Sequence, residues 1–269
     1  MRKLILKFGV ACVTVCSLGA QGQPATPAVL PSAEAILQQV MKQALKDEAG
    51  EREFAQTYSY TRTRVTENRD SKGKIESREE KKDVRKPAAP TPPPPAANSR
   101  TASTGTKGAE SLITQAPASA VPRGKAFDRS DFILNGDLLN RFAFKVSGRE
   151  LIHGRPTFVL EFRPATKQPA PKSLKDRFIN KAAGRLWIDE AESILVRANL
   201  ELTERVNVVG GLVGSVSAFR YEFDRERTNE GFWFTRTSGY HLEGREVVVQ
   251  RNLDYKEEKS DLRKVAARK

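Results

Sequence analysis

The residues of this sequence that most readily do chemistry are few. There are two histidines, His153 and His241, and two cysteines, Cys12 and Cys16. A protein zinc site needs three or four Cys, His or carboxylate ligands at characteristic spacings, and the sequence around the histidines offers no such set. His153 precedes a glycine between two strand-like runs, as turn residues do, and His241 lies near a strand start. We therefore predict neither a metal site nor a cofactor.

Motifs of covalent catalysis are also missing. The sequence has no Gly-x-Ser-x-Gly nucleophile elbow. The run Gly210-Gly-Leu-Val-Gly214 lacks the spacing and the Lys-Ser/Thr end of a phosphate-binding loop, and is typical of a hairpin connection. Asp189 and Glu190 are interpreted as polar residues at a strand end. No catalytic residue is predicted, and a hydrolase using other carboxylates is the least favoured function.

The start of the chain predicts export. Arg2 and Lys3 precede an apolar run over residues 4–20, and small residues follow to Gly22. This is the pattern of a secretory signal peptide over residues 1–22, and the run is shorter than the ~20 apolar residues of a membrane-spanning helix. Both cysteines lie in this segment, so cleavage after Gly22 leaves no cysteine nucleophile. Cys16 follows Val15, which does not suit a lipidation site. Cys12 follows a suitable Ala11, but the apolar run before it is short and broken by Lys7, so no lipid anchor is expected.

The composition limits the partners. The 269 residues include 46 Lys and Arg against 33 Asp and Glu, a formal net charge of +13. An exported protein rarely meets nucleic acid, and acidic residues are interspersed among the basic ones, so no nucleic-acid partner is predicted. Two explanations stay open: peripheral contact with an anionic membrane surface, or a solvated surface rich in Lys and Arg.

Composition and periodicity divide the mature chain into four segments. Residues 23–86 predict a helix from Ser32 to Gly50 and a charged edge hairpin. Residues 87–126 hold eight of the 15 prolines and no aromatic residue, which predicts a disordered insertion. Residues 127–260 are predicted to form the main sheet, and residues 261–269 a basic C-terminal tail.

The main segment alternates with the period of strands. Strands are predicted at 142–146, 157–162, 185–189, 194–202, 216–223, 231–237 and 245–255. Turn signals separate them, and no strand–helix alternation suggests a parallel sheet. The predicted fold is α+β, mainly β: a curved antiparallel sheet, or half-open β-barrel, with a few short covering helices.

Several predicted strands carry large apolar residues on one face, and an antiparallel sheet must cover such a face. Either this face is an ordinary core, or short helices close it into an apolar cavity. The residues predicted to line such a cavity are Phe144, Phe158, Leu160, Phe162, Leu186, Ile188, Leu200, Phe232 and Phe234.

Three motifs occur in order along this segment. They are His153-Gly-Arg-Pro-Thr-Phe-Val-Leu-Glu-Phe-Arg-Pro164, Ala183-Gly-Arg-Leu-Trp-Ile-Asp189 and Asn229-Glu-Gly-Phe-Trp-Phe-Thr235. Together they resemble the LolA-like family of outer-membrane lipoprotein-sorting proteins. The last motif departs from the family pattern, since Glu230 replaces an Asp and Thr235 a Pro. The resemblance covers about residues 126–260, and residues 32–86 more weakly.

The resemblance implies a periplasmic carrier or binding protein that shields the acyl chains of lipoproteins, or a similar lipid-like ligand, without covalent chemistry. It further implies an inner-membrane exporter and an outer-membrane receptor as partners. In that family an arginine of an early strand helps to hold the lid, and Arg62 and Arg64 lie in the corresponding element. An envelope-stress sensor of the same fold, binding mislocalised lipoproteins, is the main alternative.

Overall fold

The computed structural model describes residues 30–87, 136–208, 214–246 and 249–265. Within them the chain forms three helices, α1 (Ala33–Thr57), α2 (Gly136–Leu139) and α3 (Leu174–Ile179). Its strands are β1 (Tyr58–Arg69), β2 (Ile75–Arg85), β3 (Phe142–Ile152), β4 (Arg155–Pro164), β5 (Ala182–Asp189), β6 (Leu195–Leu202), β7 (Val206–Val208), β8 (Gly214–Arg227), β9 (Trp233–Glu246) and β10 (Val249–Lys264). The predicted signal peptide, and the predicted insertion apart from its first residue, lie outside the described residues.

The strands form one antiparallel sheet. Its order is β2-β1-β10-β9-β8-β6-β5-β4-β3, with β7 paired to β8. In the part of the chain that the structure describes, β2 and β3 are the two edges, so the sheet is not closed into a barrel. The predicted class, mainly β with a curved, half-open antiparallel sheet, is confirmed.

Helix α1 covers one face of this sheet, which we call the inner face, and the opposite face is the outer face. The helix begins after Ser32, whose hydroxyl accepts a hydrogen bond from the backbone N–H of Ala35 (3.2 Å), as predicted for an N-cap. Its next apolar residues, Ile36, Leu37 and Val40, are buried in the main core. Burial of this stripe fixes the first half of α1 on the sheet.

The predicted end of this helix at Gly50 is wrong, because α1 continues to Thr57 and β1 begins at the next residue. Phe54, which is 4% exposed, stacks on the ring of Phe234 with 4.8 Å between ring centroids. This packing outweighs the cost of about 1 kcal/mol that glycine adds inside a helix. The covering helix is therefore 25 residues long, rather than short.

The main core follows the inner face from β4 to β10. Leu160 pairs with Leu186, which pairs with Ala198 on the next strand, which pairs with Phe223. Residues at alternate positions therefore meet side by side across strands. The Leu160 and Leu242 side chains are 0% exposed, so the centre of this face is a filled core.

Several strand boundaries differ from prediction. The predicted break between residues 237 and 245 is wrong, since β9 runs through Gly239 and Gly244. A Cβ on Gly239 would lie 2.8 Å from the carbonyl oxygen of Tyr255, so small residues here allow neighbouring backbones to approach closely. The sheet also extends past residue 260 into the predicted tail, where Lys264 pairs with Tyr58.

The edge strand β2 is confirmed as charged and exposed. Only Asp83 among its residues is even half-buried. Charged side chains at a sheet edge oppose pairing with another chain. The β1–β2 hairpin thus ends the sheet on this side.

Candidate functional site

An apolar cavity of about 50 Å³ lies between the inner face and the short helices α2 and α3. Leu138 of α2 and Ile179 of α3 contribute to its walls. Its lining residues are apolar except for Asn199 and the hydroxyl group of Tyr221. They are Leu138, Phe142, Phe144, Phe162, Ile179, Ala182, Leu186, Leu195, Ala198, Asn199, Leu200 and Tyr221. Such a lining suits a hydrocarbon ligand.

The predicted cavity residues divide into three groups. Those that line the cavity are Phe144, Phe162, Leu186 and Leu200. Leu160 and Ile188 are 0% and 1% exposed and belong to the filled core beside it. Phe158 is half-buried and packs against the same core. The alternation therefore identifies the correct face, but it does not separate core from lining.

The placement of Phe232 and Phe234 in that cavity needs correction. Phe234 packs with Phe54 and Tyr58 in a separate cluster at the C-terminal end of α1, and Phe232 packs against it. The ring of Phe232 meets that of Tyr58 edge-on at 6.4 Å. Strand alternation assigns a face of the sheet but not a position along it, and these residues lie at the far end of β9.

Sequence reasoning missed most of the lining, although one signal was available. Phe142 alternates with Phe144 on β3 and contacts Phe162 edge-on, with 5.0 Å between centroids. The rings of Phe144 and Phe162 lie 6.2 Å apart. Phe142 and Phe144 are only half-buried. Three phenylalanines therefore form an aromatic mouth where the cavity meets the edge strand β3.

A buried arginine fastens α1 to the sheet. Arg225 of β8 is 0% exposed and donates hydrogen bonds to both carboxylate oxygens of Asp47, at 2.8 and 3.0 Å. It also donates to Glu51 (3.2 Å) and to the carbonyl oxygen of Leu195 (3.2 Å). Its Nε atom is buried without a hydrogen-bond partner in the described structure. We call Arg225, Asp47 and Glu51 the helix latch.

Arg62 and Arg64, the two arginines that the resemblance suggested for this role, lie elsewhere. Both pair with Asp83 of β2, at 3.3 and 3.0 Å. One signal pointed to Arg225 instead, because it follows Phe219, Tyr221 and Phe223 at alternate positions of one strand. This alternation places Arg225 on the apolar inner face. An unpaired charge there is very unfavourable, so the position indicates a buried carboxylate partner.

The three sequence motifs meet on the outer face. Arg155, from the first motif, donates two hydrogen bonds to Asp189, from the second, at 2.6 and 2.9 Å. Its guanidinium lies 5.4 Å from the centre of the Trp233 ring, from the third motif. The indole N–H of Trp233 donates to Glu192 (2.9 Å). We call these four residues the outer clasp.

The contacts of the outer clasp fix the local structure. Asp189 is 1% exposed and accepts hydrogen bonds from the backbone N–H groups of Ala191 (3.0 Å) and Glu192 (2.8 Å), which fixes the β5–β6 turn. The hydrogen bond to Asp189 raises the pKa of Arg155 above its ordinary value. Arg155, Asp189 and Trp233, one residue from each motif, therefore stabilise the sheet on the face opposite the cavity.

We expect Asp189→Asn to lower the free energy of unfolding by about 2 kcal/mol, because it removes a charge-assisted, bidentate hydrogen bond to Arg155. Urea unfolding measures this loss. Glu190→Gln is the control, since Glu190 makes a half-exposed ion pair with Arg149 (2.7 Å) and such pairs contribute under 1 kcal/mol. Equal losses in the two variants would contradict a structural role for the clasp.

Both histidines are accounted for by local structure. His153 and Gly154 have φ angles of 49° and 75°, as the two central residues of a tight hairpin turn require. His153 also bonds to Asp224 (2.6 Å). His241 bonds through Nδ1 to Asp254 (2.7 Å) on the neighbouring strand. Within the described ranges, no group of three or more His, Cys, Asp and Glu could hold a metal ion.

No helix among the described residues is both long and apolar enough to cross a membrane. No family model and no curated protein matches the sequence.

The solved structures that are similar to this chain include lipoprotein-sorting proteins. A lipoprotein-sorting protein domain from Vibrio parahaemolyticus matches at a TM-score of 0.35 and 11% identity, over 87% of this chain and 95% of that one. A LolA superfamily protein from Nitrosomonas europaea matches at 0.28 and 11%, over 87% and 94%. MucA/MucB from Pseudomonas aeruginosa matches at 0.20 and 12%, over 84% and 100%.

All three TM-scores are below 0.5, so the case for a function depends on the residues of this chain.

Proposed function

We propose that this protein binds the acyl chains of lipoproteins, or a similar lipid-like ligand, on the inner face of its sheet. The binding is non-covalent. The observation that carries the proposal is the apolar cavity, whose aromatic mouth of Phe142, Phe144 and Phe162 lies at the sheet edge. Phe142 and Phe144 are half-buried, so their rings provide a surface that hydrocarbon can cover.

The cavity in this structure represents a closed state. Its volume of about 50 Å³ is a third of the roughly 150 Å³ that admits one benzene molecule. A fatty-acyl chain needs more space, which displacement of the first half of α1 would provide. This movement would uncover the surface that Ile36, Leu37 and Val40 now bury.

The free energy lost by withdrawing these three side chains is comparable to the free energy gained by burying an acyl chain. Withdrawing three aliphatic side chains from the core costs about 5–9 kcal/mol, at 1.5–3 kcal/mol each. Burying an acyl chain of about 14 methylenes contributes about 11 kcal/mol, at 0.8 kcal/mol per methylene. A ligand of this size therefore offsets the withdrawal of these three side chains, whereas a short-chain molecule does not.

The cellular setting belongs to the same proposal. The signal-peptide pattern of residues 1–22 supports export to the periplasm, where acyl chains would otherwise be exposed to water. Delivery from an inner-membrane exporter to an outer-membrane receptor would then follow from the family resemblance. A mature chain without cysteine and with few histidines favours binding over catalysis.

We expect Phe144→Glu to lower the affinity for a fluorescent fatty-acid probe at least tenfold, because it places a charge at the mouth of an apolar cavity. Probe titration and displacement measure the change. Ala143→Glu is the matched control, since Ala143 is the exposed neighbour on the outer face of the same strand. The same charge there should leave affinity unchanged. A folded Phe144→Glu variant that binds the probe as well as wild type would refute the cavity assignment.

Lipid extraction and mass spectrometry of protein isolated from the periplasm would identify the natural ligand. Recovery of acyl species from wild type, and their depletion from Phe144→Glu, is the expected result. Absence of acyl species from wild type, together with no probe binding, contradicts the carrier proposal.

A further inference from the structure

A second hollow lies on the outer face, over the N-terminal half of β5. Its volume is about 320 Å³, several times that of the apolar cavity. Ala183 and Gly184 lie on its floor and place no large side chain in it. It lies on the face opposite the proposed acyl site, so its role is independent of the proposed function.

Three arginines from three different strands border this hollow. They are Arg163 of β4, Arg185 of β5 and Arg220 of β8, and all three are exposed. Arg185 pairs with Glu161 at 3.2 Å. The side chains of Arg163 and Arg220 make neither a hydrogen bond nor an ion pair within the described residues. Guanidinium groups present planar pairs of N–H donors that match the oxygens of phosphate.

Two carboxylates restrict the kind of phosphate that fits. Glu161 and Glu201 also border the hollow, and they would repel a bare phosphate dianion. A ligand that carries an ammonium group beside its phosphate satisfies both sets of charges. A primary ammonium has N–H donors for the carboxylates, whereas a trimethylated ammonium has none.

We propose that this hollow binds the phosphoethanolamine head group of a membrane phospholipid. Arg163 and Arg220 contact the phosphate, and Glu201 accepts hydrogen bonds from the ammonium group. Binding would hold the outer face of the sheet against a membrane surface. The β3 edge, with the aromatic mouth, would then lie beside the bilayer.

The test measures partition of the full mature chain onto three kinds of vesicle. These contain phosphatidylcholine alone, phosphatidylcholine with phosphatidylethanolamine, or phosphatidylcholine with phosphatidylglycerol. We expect the vesicles with phosphatidylethanolamine to bind more protein than those of phosphatidylcholine alone. Equal binding to these two would overturn the proposal.

Arg220→Gln should weaken partition onto the phosphatidylethanolamine vesicles about tenfold, the effect of losing one charge-assisted hydrogen bond. Lys256→Gln is the matched control, because Lys256 is an exposed cation on β10 and the charge change is the same. Equal effects of the two variants would mean that general surface charge explains the binding, and would overturn the proposal.

Glu201→Gln should reduce the preference for phosphatidylethanolamine over phosphatidylcholine, without weakening binding to the phosphatidylglycerol vesicles. Calorimetry with free phosphoethanolamine separates a lipid from a soluble ligand. Binding of the free compound but not of the vesicles would overturn the assignment to a membrane lipid. The fatty-acid probe assay on Phe144→Glu is unaffected by these outcomes, so the two proposals fail separately.

Discussion

Replacing Asp47 by Asn is expected to lower the free energy of unfolding by about 3–5 kcal/mol, the loss typical of breaking a buried ion pair from one side. The Arg225 side chain is 0% exposed, and its bidentate partner is Asp47. The substitution leaves a buried guanidinium with Glu51, which is 40% exposed, as its remaining carboxylate. Urea or thermal unfolding of the mature chain measures the change.

A matched control lies on the same helix. Glu48 pairs with Arg52, and both side chains are 63% exposed, so Glu48→Gln should change stability by less than about 0.5 kcal/mol. The double variant Asp47→Leu/Arg225→Met should recover most of the stability, because apolar residues of similar size can replace a buried pair. Equal losses in Asp47→Asn and Glu48→Gln would show that the latch contributes nothing.

Loosening the latch should also tighten ligand binding. The apparent affinity of a ligand for an open state rises with the population of that state. Asp47→Asn destabilises the closed state, in which Arg225 is buried, and should therefore lower the dissociation constant of the fatty-acid probe. Weaker binding by a folded Asp47→Asn variant would contradict displacement of α1 as the route of entry.

The second large effect is expected at Gly184. A Cβ at this position would lie 2.0 Å from the carbonyl oxygen of Asn199, which is backbone of the neighbouring strand β6. Because backbone cannot rotate away, Gly184→Ala must disrupt the pairing of β5 with β6. We expect a loss above about 4 kcal/mol, in the range of the most damaging single substitutions.

Gly50→Ala is the control for Gly184→Ala. Gly50 lies inside α1, and a Cβ there meets no atom within 4 Å. The change should raise stability by about 1 kcal/mol, because alanine favours the helix. Thermal unfolding of both variants tests the pair, and a soluble Gly184→Ala protein with a wild-type melting temperature would refute the steric account.

The sequence predicts the sheet well because strand alternation is a local signal. Phe158, Leu160 and Phe162 alternate, and the structure places all three in or against the main core. His153 and Gly154 are likewise read correctly as a turn, since a two-residue connection favours residues that tolerate positive φ. Pairing between neighbouring strands then follows from these short-range features.

The latch and the cavity lining are not local. Asp47 lies 178 positions before Arg225, so no periodicity in either segment connects them. An arginine is exposed by default, and only its partners make burial tolerable. The predicted helix end at Gly50 is wrong for a similar reason. The helix continues because Phe54 stacks on Phe234, which lies far along the chain. Such contacts require the tertiary structure.

Because β1 begins directly after α1, the proposed displacement of the helix would be a tilt about Tyr58. The 25 residues of α1 span about 37 Å, so a tilt of about 10° moves the first turn by about 6 Å. Asp47 lies about 16 Å from Tyr58 and would move about 3 Å in the same tilt. A movement of this size separates Asp47 from Arg225, whereas Phe54 is close to Tyr58 and keeps its stacking. The helix latch would therefore have to break before α1 could tilt by about 10°.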